Sequence, residues 1–260
     1  MLKENLKISI FENNPEWENS VVNLHQITKD LQNIDTDIIV LPEMFATGFS
    51  MNVNKIAQTE KGEIVQWMKD FSSQNNVAIC GSVSINENEK YYNRFYFFSN
   101  GSLISQYDKH HLFSYGKENL FYTEGNKKVV FDYEGWKICP MICYDLRFPV
   151  WNRNTENYDI LLNVANWPIT RIETWKVLHK ARAIENQCFA LGVNRIGTDG
   201  NNWEFNGQSQ CISPTGKEMF PKNSENNIHN FSLYKADITK IRNEFPFLDD
   251  RDSFEIISKK

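Results

Sequence analysis

A thiol, a carboxylate and an ammonium group each stand at the end of a strand-like run of this sequence. Cys143 ends a mostly apolar run, Glu43 follows the apolar run 38–41, and Lys109 follows the run 103–107. The carboxyl end of a buried strand is where α/β enzymes place reactive groups. Since these groups can serve as nucleophile, base and charge stabiliser, the pattern predicts nucleophilic catalysis by Cys143.

Each of these residues alone would be weak evidence. Free cysteines are commonly buried in cores, and isolated lysines and loop glutamates are ordinarily solvated. Position distinguishes Cys143, because its strand ends there and the more polar stretch 144–149 follows. The other four cysteines lie within apolar runs and are expected in the core: Cys80, Cys139, Cys188 and Cys211.

The cysteine pattern indicates reduced thiols and therefore a cytoplasmic protein. There are 5 cysteines, an odd set without a Cys-x-x-Cys pair. Cys139 and Cys143 would lie roughly 13 Å apart in a strand, too far for a disulfide. The segment 1–5 has no apolar signal region, and no apolar run approaches the length of a membrane span.

Other kinds of chemistry find little support. Adjacent His110 and His111 would point to opposite sides of an extended chain, and neither has a ligand at metal-site spacing, so we expect no metal. A glycine-rich phosphate loop and a Gly-x-Ser-x-Gly motif are both absent, so we expect no nucleotide cofactor and no serine nucleophile of that type. The net charge of -5, without blocks of like charge, disfavours nucleic acid and acidic membranes as partners.

The length suits one large domain about as well as two small ones, but no linker, repeat or low-complexity stretch divides residues 1–260, which predicts a single domain. The order of the elements predicts mixed sheets flanked by helices and leaves open whether the strands form one sheet or two. Helical spacing of apolar residues predicts helices over 17–31, 62–74, 175–187 and 238–245. Strands are expected at 6–10, 38–41, 77–83, 91–98, 103–107, 129–131, 137–143, 159–164, 189–194, 208–212 and 231–236. Asn100-Gly101 predicts a hairpin turn, and residues 110–127 a loop.

Three blocks of the sequence resemble the signature blocks of the nitrilase superfamily, the carbon–nitrogen hydrolases. They are residues 41–45, 107–113 and 142–149, in that family's order. Residues 181–187, 207–209 and 214–216 agree with further blocks. The resemblance extends from about Leu6 to about Phe245, and three spaced blocks are far more specific than any single one.

The resemblance implies an α+β fold, a four-layer αββα sandwich of two facing sheets, and a homodimer. It also implies roles for site residues. Glu43 matches the general base, Lys109 the stabilising lysine and Cys143 the nucleophile. Glu118 matches a second glutamate that orients the lysine and the substrate, although Glu124 lies in the same loop.

Within the superfamily, Cys143-Tyr144-Asp145 resembles the amidase branches, with the Tyr144 N–H and the lysine facing the oxyanion. The stretch from Cys143 to Pro168 is most similar to bacterial ω-amidases that act on 2-oxoglutaramate and 2-oxosuccinamate. A carbamoylase, another aliphatic amidase or a non-catalytic binding member of the fold are the alternatives. The substrate carboxylate would need a cation, for which the candidates are Arg147, Arg171 and Arg195.

Overall fold

The computed structural model describes residues 3–221 and 226–257, whose strands form two large sheets and a two-stranded ribbon. In spatial order the first sheet contains β13 (Ile228–Tyr234), β1 (Asn5–Phe11), β2 (Ile38–Val40), β3 (Ala78–Glu87), β4 (Lys90–Ser99) and β5 (Ser102–Asp108). The second contains β12 (Gln210–Ile212), β9 (Phe189–Val193), β8 (Ile160–Val164), β7 (Trp136–Ile142) and β6 (Phe131–Tyr133). The ribbon pairs β10 (Ile196–Thr198) with β11 (Glu204–Asn206).

The α-helices connect and cover these sheets. They are α1 (Ser20–Asp30), α2 (Val53–Ile56), α3 (Glu63–Asn75), α4 (Ile172–Asn186) and α5 (Lys235–Glu244). Short 3-10 helices occupy Ser114–Gly116, Glu118–Leu120, Cys143–Arg147 and Ile169–Arg171. Within the described residues, no helix has both the length and the apolar character needed to cross a membrane.

Three hydrophobic clusters define the layers. The inner faces of both sheets pack against each other, with Val40 from the first sheet and Met141 from the second in one cluster. Ile39 points the other way, toward α1 and α3, since successive strand residues face opposite sides. Helix α4 covers the outer face of the second sheet, where Ala183 packs on Ala190. The layers therefore run helix, sheet, sheet, helix, and the predicted αββα fold is confirmed.

Turn geometry explains the hairpins of the first sheet. Asn100 and Gly101 have φ angles of 48° and 74°, the left-handed conformations that the predicted hairpin turn needs. A second turn at Asn88 and Glu89, with φ angles of 52° and 63°, lets β3 continue to Glu87, beyond the predicted end at residue 83.

Parallel pairing brings the ends of several strands together. In the first sheet β2 is parallel to its neighbours β1 and β3, and in the second β8 is parallel to β7 and β9. Glu43 follows β2, Cys143 follows β7 and Asn166 follows β8. Because the sheets face each other, these carboxyl ends can supply one site from both sheets.

Several bounds in the second sheet differ from the prediction, and β12, like β6, begins two residues late. Strand β6 begins at Phe131, two residues later than expected, and β7 ends at Ile142, so that Cys143 starts a 3-10 helix instead of ending the strand. The backbone of Lys137 pairs with Asp159 on the β8 side, so Pro140 turns its nitrogen to the opposite side. On that side β6 pairs with β7 only as far as Ile138.

Candidate active site

Cys143 begins the 3-10 helix Cys143–Arg147 in a left-handed conformation, with φ of 47°. This region of backbone space is unfavourable for a side chain other than glycine and often occurs where a reactive group must be aimed. Cys143 is partly exposed, whereas the four other cysteines are buried free thiols, as predicted. Its Sγ lies 3.8 Å from the carbonyl oxygen of Asn166.

Lys109 is fully buried between two carboxylates. Its Nζ lies 2.8 Å from Oε1 of Glu43, and 3.1 Å and 2.9 Å from Oε1 and Oε2 of Glu118. Asn93 of β4 donates to the same two groups, at 2.8 Å to Glu43 and 3.2 Å to Glu118. Glu118 therefore contacts the lysine, while Glu124 of the same loop is exposed.

Glu43 is held from both sheets. The main-chain N–H of Asn166 donates to its Oε2 at 2.9 Å, and the side-chain amide of Asn166 donates to its main-chain oxygen at 2.7 Å. Glu118 is fixed by the N–H of Phe113, 2.6 Å from its Oε2. Since every partner of the two carboxylates is a donor, both groups are held as acceptors around the lysine.

The charges of this cluster set its proton states. Burial raises the pKa of Cys143 well above its ordinary value; Glu43 and Glu118 raise it further, and Lys109 opposes them. Burial works to lower the pKa of Lys109, but the carboxylates of Glu118 and Glu43 prevail and raise it. Burial also raises the pKa of Glu118, against the effect of Lys109. The resting site therefore contains a neutral thiol beside a charged ammonium group.

A pocket opens over the thiol. Aromatic rings and three cations line it: Phe49, Lys109, Phe113, Cys143, Tyr144, Arg147, Asn166, Trp167, Pro168, Arg171 and Trp203. None of these lining residues carries a carboxylate. The pocket is therefore apolar on its walls and positive.

Two of the three candidate arginines face this pocket. The guanidinium of Arg147 lies 4.9 Å from the ring of Trp167, and that of Arg171 lies 5.3 Å from Phe113 and 5.5 Å from Trp203. Arg195 instead lies buried over another ring and donates to Asn14, outside the pocket.

Sequence reasoning did not single out several side chains that build this site. Asn93 was one of them. A polar residue inside the aromatic run 91–98 does indicate a buried side chain that needs a hydrogen-bond partner or has a functional role. Asp145 was another, since its carboxylate accepts hydrogen bonds from Tyr107 and His111. Asn166, Phe113 and Trp203 could be placed only once the fold was known.

The two adjacent histidines each contact another side chain. His111 lies 2.8 Å from Asp145 through Nδ1, and His110 stacks on Trp151 at 3.6 Å between ring centres. Over residues 3–221 and 226–257, no three His, Cys, Asp or Glu side chains are grouped so as to hold a metal ion.

Comparison with known proteins identifies the family. The carbon-nitrogen hydrolase model matches residues 10–235. The chain belongs to the carbon-nitrogen hydrolase family. The family predicted from the three sequence blocks is thus confirmed.

Relatives of this hydrolase agree along almost the whole chain. It is 38% identical over 253 residues to omega-amidase YafV of Escherichia coli strain K12, covering 96% of this chain and 98% of that one. It is 35% identical over 219 residues to 2-oxoglutaramate amidase of Bacillus subtilis strain 168, covering 82% and 84%. A solved structure of XC1258 from Xanthomonas campestris, a CN-hydrolase superfamily protein, matches with a TM-score of 0.93, 34% identity and coverage of 98% and 100%.

Proposed function

We propose that this carbon–nitrogen hydrolase is an ω-amidase that releases ammonia from the terminal amide of short 2-oxo acids, such as 2-oxoglutaramate and 2-oxosuccinamate. The observation that carries the proposal is the pocket over Cys143, which presents Arg147 and Arg171 and is lined by no carboxylate. The relatives named omega-amidase and 2-oxoglutaramate amidase support the same substrate class.

The arginines suit the carboxylate at the far end of such a substrate. Neither Arg147 nor Arg171 forms an ion pair with another described residue, and aromatic rings orient both guanidinium groups. Burial lowers the pKa of Arg171, and the nearby charge of Arg147 lowers it further. A carboxylate bound at these groups would relieve both effects and accept paired hydrogen bonds.

The same charges disfavour amino acid amides. The α-ammonium of glutamine would have to lose its water beside Lys109, Arg147 and Arg171, with no carboxylate in the pocket lining to receive it. The 2-oxo group of 2-oxoglutaramate carries no charge and avoids this repulsion. We therefore assign the pocket to the oxo acid and not to the amino acid.

In the proposed acylation step, Cys143 Sγ attacks the amide carbon while its proton passes to Glu43. Burial, Glu43 and Glu118 raise the pKa of the thiol, which favours transfer of its proton together with the attack. The oxyanion faces Lys109 and the N–H of Tyr144, which lies in the first turn of a 3-10 helix where N–H groups have no intrahelical acceptor. Glu43 then protonates the departing nitrogen, and ammonia leaves a thioester.

In the proposed hydrolysis step, Glu43 removes a proton from water, whose oxygen attacks the thioester carbon. The carbon–sulfur bond breaks, the thiol of Cys143 regains a proton, and the substrate leaves as the dicarboxylic 2-oxo acid. Lys109 stabilises the second oxyanion as it did the first. Glu118 touches no reacting atom in this scheme and keeps the ammonium group in place through its contacts of 2.9–3.1 Å.

Specificity constants test the proposal. We expect kcat/KM to be far higher for 2-oxoglutaramate than for glutamine, a carbamoyl amine or a nitrile, with Cys143→Ala as the background control. Equal values for 2-oxoglutaramate and glutamine, or a higher value for the carbamoyl amine or the nitrile, would remove the ω-amidase assignment.

The arginines permit a sharper test of the same idea. One hydrogen bond to a charged group contributes about 1.5–3 kcal/mol, so Arg171→Ala should lower kcat/KM for 2-oxoglutaramate about 10- to 150-fold. An uncharged aliphatic amide should lose much less, because it brings no carboxylate. An equal loss for both substrates would show that Arg171 supports the fold and not the carboxylate.

A further inference from the structure

Asp145 is fully buried two residues after Cys143, and its carboxylate accepts four hydrogen bonds. Oδ2 accepts from the main-chain N–H of Ile142 at 3.1 Å and from the hydroxyl of Tyr107 at 2.8 Å. Oδ1 accepts from the main-chain N–H of His111 at 2.8 Å and lies 2.8 Å from its Nδ1. Each carboxylate oxygen therefore accepts two hydrogen bonds from neighbouring groups.

These donors belong to two different parts of the site. Tyr107 and His111 lie two residues before and two residues after Lys109, at the end of the first sheet. Ile142 ends the strand of the second sheet that leads into Cys143. The carboxylate therefore joins the segment that carries the ammonium group to the turn that carries the thiol.

The contacts of the Lys109 Nζ provide only an indirect link, through Glu43, whose Oε2 accepts from the N–H of Asn166 after β8 of the second sheet. The polar partners of the Lys109 Nζ in the described residues are Glu43 and Glu118, which follow strands of the first sheet. The segment around it is held from the second sheet by Asp145 and by Trp151, whose Nε1 donates to the Tyr107 hydroxyl at 3.0 Å. Burial and then Asp145 raise the pKa of Tyr107 well above its ordinary value, so its hydroxyl keeps the proton that it donates.

We propose that Asp145 is a positioning residue that sets the distance between Cys143 Sγ and Lys109 Nζ and holds Cys143 in its left-handed conformation. The proposal rests on the proposed function in taking Cys143 as nucleophile and Lys109 as oxyanion donor. The bond from Ile142 to Asp145 closes the turn over Cys143, whose φ of 47° would otherwise relax.

A second buried aspartate offers a matched control. Asp159 lies before β8, at the opposite end of the parallel strands, and accepts from the N–H of Lys137 while pairing with Lys235 and Arg242. It is nearly as buried as Asp145 but contacts cations of the C-terminal helix instead of the site. Its replacement therefore reports the effect of losing a buried structural carboxylate alone.

The test compares Asp145→Asn with Asp159→Asn. The amide nitrogen of asparagine is a donor, so at position 145 it must face the main-chain N–H of either Ile142 or His111, and that hydrogen bond is lost. Because a misplacement of about 1 Å can cost about 10²-fold in rate, we expect kcat of Asp145→Asn to fall by about that factor while KM changes little. Asp159→Asn should lose thermal stability and keep kcat per folded molecule.

A second readout needs no substrate. The charge of Lys109 lowers the pKa of the Cys143 thiol, so moving the two groups apart raises it. Alkylation of Cys143 by iodoacetamide, followed by mass spectrometry, should therefore be slower at a given pH in Asp145→Asn than in the wild type or Asp159→Asn. If the wild type fails to hydrolyse 2-oxo acid amides but the alkylation difference is found, the proposed function fails and the role of Asp145 stands.

Folded Asp145→Asn with the kcat and alkylation rate of the wild type would overturn the proposal. If Asp145→Asn does not fold, Tyr107→Phe decides, because it removes one donor and leaves the carboxylate in place. A lower kcat with unchanged KM and slower alkylation in Tyr107→Phe would support the proposal. Wild-type values for both would overturn it.

Discussion

Replacing Glu118 with glutamine tests how far the buried ammonium group of Lys109 depends on a second carboxylate. Oε1 of Glu118 contacts Lys109 at 3.1 Å and Asn93 at 3.2 Å, and Oε2 contacts the N–H of Phe113 at 2.6 Å and Lys109 at 2.9 Å. The amide nitrogen of glutamine donates, so in either orientation it faces two donors. One lost hydrogen bond to a charged group, about 1.5–3 kcal/mol, predicts a fall in kcat of about 10- to 150-fold.

The same substitution should make the thiol easier to ionise. Burial raises the pKa of Cys143 most, and the negative charges of Glu43 and Glu118 raise it further. Removing the charge of Glu118 lowers that pKa, so more thiolate is present at a given pH. Alkylation of Cys143 should then reach half its maximal rate at a lower pH, although amide hydrolysis is slower.

Two assays and one matched control decide this prediction. Ammonia release gives kcat, and the pH profile of iodoacetamide alkylation gives the ionisation of the thiol. Glu124→Gln is the control, because Glu124 is an exposed glutamate of the same loop. The reasoning is refuted if kcat of Glu118→Gln falls no further than that of Glu124→Gln, or if its alkylation profile moves to higher pH.

Three further predictions follow from the site. Cys143→Ala should abolish ammonia release with an unchanged circular dichroism spectrum. Cys143→Ser should be nearly as inactive, because an alcohol is a weak nucleophile without a stronger base. Turnover near that of the wild type in either variant would contradict the thioester mechanism. Glu43→Gln should lose most activity, and Lys109→Ala should lower kcat about 10²–10³-fold. A Lys109→Ala variant that keeps half the wild-type kcat would exclude the lysine as an oxyanion donor. Trp203→Ala should raise KM for 2-oxoglutaramate about 2- to 5-fold with little change in kcat, because the guanidinium of Arg171 loses one of the two rings that it contacts. An unchanged KM would contradict the role of Trp203 in orienting Arg171.

The elements that periodicity predicted best are those with long patterns. Helix α3, at Glu63–Asn75, lies within one residue of the expected 62–74, because its apolar residues recur over three turns. Helix α2 and strands β10 and β11 were not predicted, since three or four residues are too few to show a period. Their positions depend on contacts with distant parts of the chain.

The strand ends in the sequence predicted three residues of the site. Glu43 and Cys143 come at the ends of apolar runs whose strands have parallel neighbours, and Lys109 follows β5, which runs antiparallel to β4. Asn93 could not be assigned this way, because it lies inside a strand and reaches the site only through the pleat of β4. Which arginine faces the pocket depends on the three-dimensional path of the loops, and the sequence left that choice open.

The proline inside β7 bears on how this protein avoids misassembly. The side of a strand that has lost its neighbour is a template on which another chain can pair. Beyond Ile138, the alternate positions on that side of β7 are Pro140, which has no N–H, and Ile142, whose N–H donates to Asp145. Neither position therefore offers a free N–H on that side of the folded strand. Proline, which ordinarily weakens a strand, here leaves the uncovered side of β7 a poor template for another chain.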